Sequence, residues 1–266
     1  MSYNSARDEL FLADWTNDVV RAIRMRDNAG DLIDVYRGTE DTSLSIYCVC
    51  HIKDSDTLLV CSSEEGPDEK KAKWLVALSR NDSEWREAQR VKTDKVGRIS
   101  CALSDSRVII GKDDSTYMEL FRVESGPRIA RVHRIDVPEK YDCFSATCGS
   151  DTLVAMSYEC ESVRVHRLVR NLFGLLGYRL EELARIKLND PSLLLWLADR
   201  LLVANFDYEK KSHAVIELEV SGMRLERRRE LIATSKNINV KRWCAVNYGL
   251  AIFDGNSKDI LRYSFV

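Results

Sequence analysis

No stretch of this 266-residue sequence approaches the roughly 18 consecutive apolar residues of a membrane-spanning helix. The opening MSYNSARDEL lacks the apolar centre of a secretion signal. An excess of one charge is missing too. The formal charge is -2, so no overall basic field draws the chain to nucleic acid or to an anionic membrane. Also absent are a Gly-x-Ser-x-Gly elbow, a phosphate-cradling glycine-rich loop and His-Glu-x-x-His, which speaks against a nucleophilic or nucleotide-dependent enzyme. The expectation is a soluble, cytoplasmic chain.

The four histidines, at 51, 133, 166 and 213, have no paired spacing of the kind that builds a zinc site, so structural or solvated roles are expected. Of the eight cysteines, most lie inside apolar or β-branched runs and not at the loop positions a disulfide framework uses. They read as reduced, buried thiols. Cys48, Cys50 and Cys61 could approach one another, but in a strand interior small sulfur side chains simply pack. Asn81-Asp82-Ser83 is a glycosylation pattern short enough to arise by chance.

What the sequence does have is a repeat. LFLADW from Leu10 is echoed by LLVCSS from Leu58, VIIGKD from Val108, LVAMSY from Leu153, LLVANF from Leu201 and LAIFDG from Leu250, at steps of 48, 50, 45, 48 and 49 residues. Most of these runs follow a turn and, before it, another short apolar stretch such as IYCVCHI, CFSATC or LLLWL. After each comes a polar loop and an alternating strand. In the first five units a charged strand follows, such as WREAQRV or RLERRRELI.

Four-stranded units of about 40 to 50 residues, repeated four to eight times, describe β-propeller blades. The predicted fold is all-β, a single domain over 1–266 with six four-stranded antiparallel blades at roughly 1–39, 40–94, 95–139, 140–189, 190–235 and 236–266. Strands apolar on both faces suit sheets sandwiched between neighbours, and charge along the fourth strand suits an outer edge. Ring closure is irregular on paper. The first unit has no obvious innermost strand before Leu10, and the last stops at its third strand.

LFLADWTNDVVRAI resembles the blades of NHL-type propellers, in which an apolar strand ends in Ala-Asp, a turn carries Asn, and Val-Arg alternation resumes. LLVANFDYEKKSHAVIEL is similar to a YVTN-type blade. The resemblance covers these two blades and extends to the others only as hydrophobic pattern. It implies architecture. Trp-Asp and Gly-His signatures are missing, which separates the chain from tryptophan-aspartate repeats. Propellers host binding proteins and hydrolases alike.

Loops joining second to third strands should share one face, and they are acid-rich. The fifth residue of each aligned run gives a polar series there: Asp14, Ser62, Lys112, Ser157, Asn205 and Asp254. Such residues bind ligands at a channel mouth or cap turns through local backbone bonds. Trp15, Tyr158 and Phe206 come one position later as candidate rim contacts. NLFGLLGY, residues 171–178, joins the third and fourth strands of the fourth unit. It offers Leu172, Phe173, Leu175 and Leu176 where polar residues are expected, a candidate apolar contact loop.

The leading expectation is a non-enzymatic interaction platform with a protein partner, self-associating through an open edge or the 171–178 loop as a further option. The alternative resembles calcium-dependent lactonases and phosphotriesterases. That likeness implies a divalent cation, Ca2+, held by Asp14, Asn205 and Asp254. A third reading is a small-ligand or glycan reader that stacks on Trp15, Tyr158 and Phe206.

Overall fold

A computed structural model describes residues 1–25, 32–37, 44–65, 71–82, 84–94, 98–101, 107–111, 115–124, 127–148, 151–159, 161–170, 177–197, 200–233, 236–247 and 249–264. The described residues are organised almost wholly as antiparallel strands, and no helix among them is long and apolar enough to cross a membrane. Two compact units divide the chain, one drawn mainly from Met1–Cys101 with Glu119–Val132, the other mainly from His133–Val266.

The first unit begins with β1 (Ser2–Asn4), β2 (Glu9–Asp14), β3 (Val19–Arg24) and β4 (Leu32–Arg37), which form one sheet in chain order. A second four-stranded sheet follows: β5 (Leu44–Ile52), β6 (Thr57–Glu65), β7 (Lys71–Asn81) and β8 (Glu84–Lys92). Next come β9 (Arg98–Cys101), β10 (Arg107–Gly111), β11 (Ser115–Val123) and β12 (Ile129–Tyr141). The second unit holds β13 (Cys143–Cys148), β14 (Thr152–Tyr158), β15 (Ser162–Arg170) and β16 (Tyr178–Lys187). After them run β17 (Pro191–Leu197), β18 (Arg200–Asp207), β19 (Ser212–Ser221) and β20 (Arg224–Ile232). The last three are β21 (Val240–Val246), β22 (Gly249–Asp254) and β23 (Ile260–Ser264).

Among the described residues the strands form five sheets: three of four strands, one of three, and one of eight in which β9–β12 and β13–β16 are joined. The join is a short parallel pairing of β12 with β16, Ile135 opposite Tyr178 and Asp136 opposite Arg179. It requires a glycine beside it. Gly177 has φ of +79°, and a Cβ there would fall 1.4 Å from His133 Nε2, so the imidazole fills the space where a side chain would stand. Charge along these two outer strands therefore did not keep them apart.

At the N-terminus β1 supplies the innermost strand that has no hydrophobic run in the sequence. Its three residues pair with Phe11, Leu10 and Glu9. Being short and polar, Ser-Tyr-Asn carries no hydrophobic signal. Side chains hold it instead: Ser2 Oγ accepts from His51 N at 2.8 Å, and Asn4 Nδ2 donates to Asp56 Oδ1 at 3.3 Å. Arg7 lies 3.6 Å from Asp56, whose carboxylate also meets His51 Nε2 at 2.9 Å.

Strand alternation explains why sheets must stack. Successive side chains point to opposite faces, yet Leu58, Leu59, Val60 and Cys61 on β6 are all fully buried. Leu59 and Cys61 enter a core shared with Val108, Ile110 and Phe121 of the following strands. Leu58 and Val60 enter a different core with Phe11, Val20 and Ala22 of the first sheet. In the second unit, Leu201 and Val203 of β18 pack with Ala155, Val163 and Val165, while Leu202 and Ala204 pack with Trp243, Leu250 and Ile252. Fully burying one such side chain contributes about 1.5–3 kcal/mol. Both faces of a middle sheet therefore depend on neighbours.

Candidate functional site

The turns between second and third strands are where the sequence placed its candidates. Asp14 ends β2 and is spent locally. Its Oδ1 accepts from Thr16 N at 3.2 Å and Asn17 N at 3.3 Å, and its Oδ2 accepts from Asn17 Nδ2 and from an Arg21 guanidinium nitrogen, both at 2.8 Å. Asp254 ends β22 in the same manner. Oδ1 takes the amides of Asn239 and Asn256 at 2.8 and 3.1 Å, and Oδ2 takes that of Ser257 at 3.1 Å. Burial alone would raise its pKa, but the three amides and the Ser257 hydroxyl outweigh it and hold the carboxyl below the usual range.

Asn205 is different. Its Oδ1 is buried and has no hydrogen-bond partner among the described residues. The turn cap of β18–β19 is Asp207, two positions on, whose Oδ1 accepts from Glu209 N at 3.0 Å and Lys210 N at 3.1 Å. The amide of Lys210, with its charge, keeps Asp207 ionised to lower pH than a free aspartate. A fixed six-residue alignment missed it because β18 runs further than β2 or β22. The signal was the Asp-x-x-Lys stretch in the DYEKK loop, a local capping pattern.

Of the other series members, Ser62 is fully buried with its hydroxyl unpartnered among the described residues, and Ser157 Oγ lies 3.0 Å from Cys143 Sγ. Lys112 lies outside the described residues. So do Leu172, Phe173, Leu175 and Leu176.

The three aromatics separate. Trp15 stands 69% exposed at its turn. Tyr158 is buried, which corrects its assignment as a rim contact. Its hydroxyl donates to Met156 Sδ at 3.3 Å and lies 3.0 Å from His166 Nε2, while Arg164 stacks 4.3 Å from the ring centre. Phe206 is half-buried between His213 and Tyr208, with ring centres at 4.8 and 5.0 Å. Tyr208, which sequence reasoning passed over, is 72% exposed in the β18–β19 turn.

His213 forms the one arrangement here with a catalytic look. Its Nε2 lies 2.9 Å from Ser192 Oγ, and its Nδ1 accepts the Val240 amide at 3.1 Å. That second bond decides the chemistry. With Nδ1 occupied as acceptor, the neutral ring carries its proton on Nε2 and donates it to the serine, whose own proton goes to Ala204 O at 2.9 Å. A base that already holds the proton cannot accept one from Ser192. The group is a latch between β17, β19 and β21.

Among the described residues no three His, Cys, Asp or Glu side chains gather in a way that could hold a metal ion. Cys48, Cys50 and Cys61 pack within one core. Cys244 is free, and burial pushes its thiol up to about 11. A separate cleft of about 260 Å³ in the first unit is lined by Glu9, Arg24, Asp34, Arg80, Glu84 and Trp85. Its buried pair is already matched: Arg80 donates to both oxygens of Glu9 at 3.0 and 2.8 Å and stacks 4.9 Å from the Trp85 ring centre.

No protein-family model matches the chain, and no curated protein matches it. Solved structures do. A chain of the Mitotic Checkpoint Complex superposes with a TM-score of 0.58 at 10% identity, covering 100% of this chain and 88% of that one. The soluble aldose sugar dehydrogenase of Escherichia coli gives 0.60 at 12% identity, covering 98% and 94%. A putative 6-phosphogluconolactonase of Bacteroides fragilis gives 0.55 at 11%, covering 85% and 68%. These are propeller-type folds, and at such identities the likeness defines the fold alone. The chain has a propeller-like, all-β architecture.

Three buried histidines shape the pH response, and His51 is lowered by burial against the opposing Asp56. His213 is pushed down to about 4 by burial and then by Lys241, against the opposing Asp190. His166 is pushed down to about 4 by burial, Glu182 opposing and Arg164 adding. Both rings stay neutral in the fold yet protonate near 6.5 once unfolded. Their contribution is complete above pH 6.5 and is lost as pH falls toward 4. The lowered carboxylates lose theirs only below the ordinary carboxylate range. Thermal melts should therefore be level above pH 6.5 and decline from there to about pH 4.5. His213→Asn, which keeps an acceptor for the Val240 amide, should flatten that decline, and an unchanged slope would contradict the latch.

Proposed function

We propose that the chain is a single six-bladed propeller-type domain acting as a non-enzymatic protein-interaction platform. Three things support the blade count: the six repeats, the stacking of consecutive sheets within each unit, and neighbours of propeller type that cover 98–100% of the chain. The buried Cys244 thiol suits a cytoplasmic setting. One observation carries the functional reading. Trp15 and Tyr208 stand 69% and 72% exposed, each in the turn after the second strand of its own sheet, while neighbouring carboxylates are committed to capping those turns. Large exposed aromatics on rigid turns are what interface centres are built from.

The test is capture of partners from a lysate by wild type and by Trp15→Ala and Tyr208→Ala variants. Both residues are exposed, so melting should change little, while partner recovery should fall about tenfold or more. Equal recovery by the double variant overturns the reading. Acid-rich loops add an electrostatic share, so capture should also weaken between low and physiological salt.

A second reading, a Ca2+-dependent hydrolase, is favoured by one atom. The buried, unpartnered Asn205 Oδ1 is the kind of oxygen a hard cation takes. Asp254 would have to release its turn amides to join it. If the reading holds, millimolar CaCl2 raises the melting temperature of wild type and not of Asn205→Leu; no rise in wild type rejects it.

A further inference from the structure

The core between the first two sheets opens outward into the cleft that Glu9, Arg24, Arg80 and Trp85 help to line. Strand register shows how. Phe11 on β2 stands opposite Ala22 on β3, and Ala22 stands opposite Ile33 on β4. Along that row exposure rises from 0% at Phe11 through 6% at Ala22 to 50% at Ile33. The second sheet contributes Trp85, opposite Arg80 in register and edge-on to Phe11 with ring centres 5.6 Å apart. An apolar floor thus runs from the core to solvent, with an isoleucine from one sheet and an indole from the other.

Charge in the lining is matched except at one point. Glu9 is held by Arg80 through both oxygens, Asp34 by Arg21 and Arg37, and Glu84 by Arg86 at 2.8 Å. Arg24 stands opposite Glu9 on the neighbouring strand, yet it is exposed and forms no ion pair among the described residues. Two further donors in the wall, Arg80 Nε and Trp85 Nε1, are buried without a hydrogen-bond partner among the described residues. What these three functions lack is an acceptor, and the free cation among them calls for a negative one. A volume of about 260 Å³ falls below the roughly 300–1,000 Å³ of sites for drug-sized ligands, which limits an occupant to one or two rings.

We propose that this cleft binds a small aromatic carboxylate, its ring set between Ile33 and Trp85 and its carboxylate paired with Arg24. A rigid planar ring covers the half-exposed isoleucine and meets the indole at little entropic cost. A guanidinium takes a carboxylate through two parallel N–H bonds, which fixes the direction of the ring. Arg80 leaves that role to Arg24, because Glu9 already holds both of its terminal nitrogens. This goes beyond the platform reading and uses none of its residues. Glu9 begins β2 and Arg24 ends β3, so the cleft lies at the end of these strands away from the Trp15 turn.

The probe is naphthoate, titrated by calorimetry into the full chain, with naphthamide, acetate and inorganic phosphate as controls. Naphthoate should bind saturably at one site per chain, and its affinity should fall about tenfold or more on Arg24→Gln and on Ile33→Ser. Naphthamide keeps the ring and loses the charge, so it should bind at least about tenfold more weakly. Acetate and phosphate should not displace naphthoate. Both substitutions are at exposed positions, and unchanged melting confirms that the variants fold. Absence of saturable naphthoate binding overturns the proposal, and so do equal affinity for naphthamide, displacement by phosphate, or indifference to Arg24→Gln. Arg24→Gln should leave Trp15- and Tyr208-dependent capture intact, so the two readings fail independently.

Discussion

Burial of both faces of the inner strands is the constraint on which the rest of the structure depends. A sheet whose consecutive residues are all apolar cannot be satisfied by one core. β6 sends Leu59 and Cys61 to one side and Leu58 and Val60 to the other. β18 divides Leu201 and Val203 from Leu202 and Ala204 in the same way. Stacking of successive sheets follows from this, and so does the character of what lies outside. Outer strands such as β20, with Arg227, Arg228, Arg229 and Glu230 exposed, can be charged because little core depends on them.

The same constraint separates structural polar groups from available ones. Side chains near the sheets are drawn into local service: Asp14, Asp207 and Asp254 cap turns, and His213 ties three strands together. What projects furthest is exposed: Trp15 and Tyr208 on their turns and the cations of the last sheet. Polar residues clustered in a sequence alignment are thus poor guides to a site until their local bonds are known.

Most of the strands could be read from the sequence because a doubly buried strand shows as a short continuous hydrophobic run bounded by turn residues. LLVCSS, LLVANF and LAIFDG are β6, β18 and β22 almost residue for residue. Three features were not legible, each because it rests on distant partners. β1 is polar and is held by His51 and Asp56, some fifty residues away. Tyr158 was placed at a rim by counting along the chain, whereas its burial depends on His166 and Arg164 of the next strand. The joining of β12 to β16 turns on Gly177 lying under His133, which no periodicity reveals. Of the candidate site, the turns were legible and their chemistry was not.

Amide hydrogen exchange of the isolated chain, followed by mass spectrometry, bears most directly on this account. β6 and β18 are buried on both faces, whereas β8 and β20 are largely exposed. The account predicts slow exchange along β6 and β18 and distinctly faster exchange along β8 and β20. Exchange along β20 as slow as along β18 would contradict the central claim.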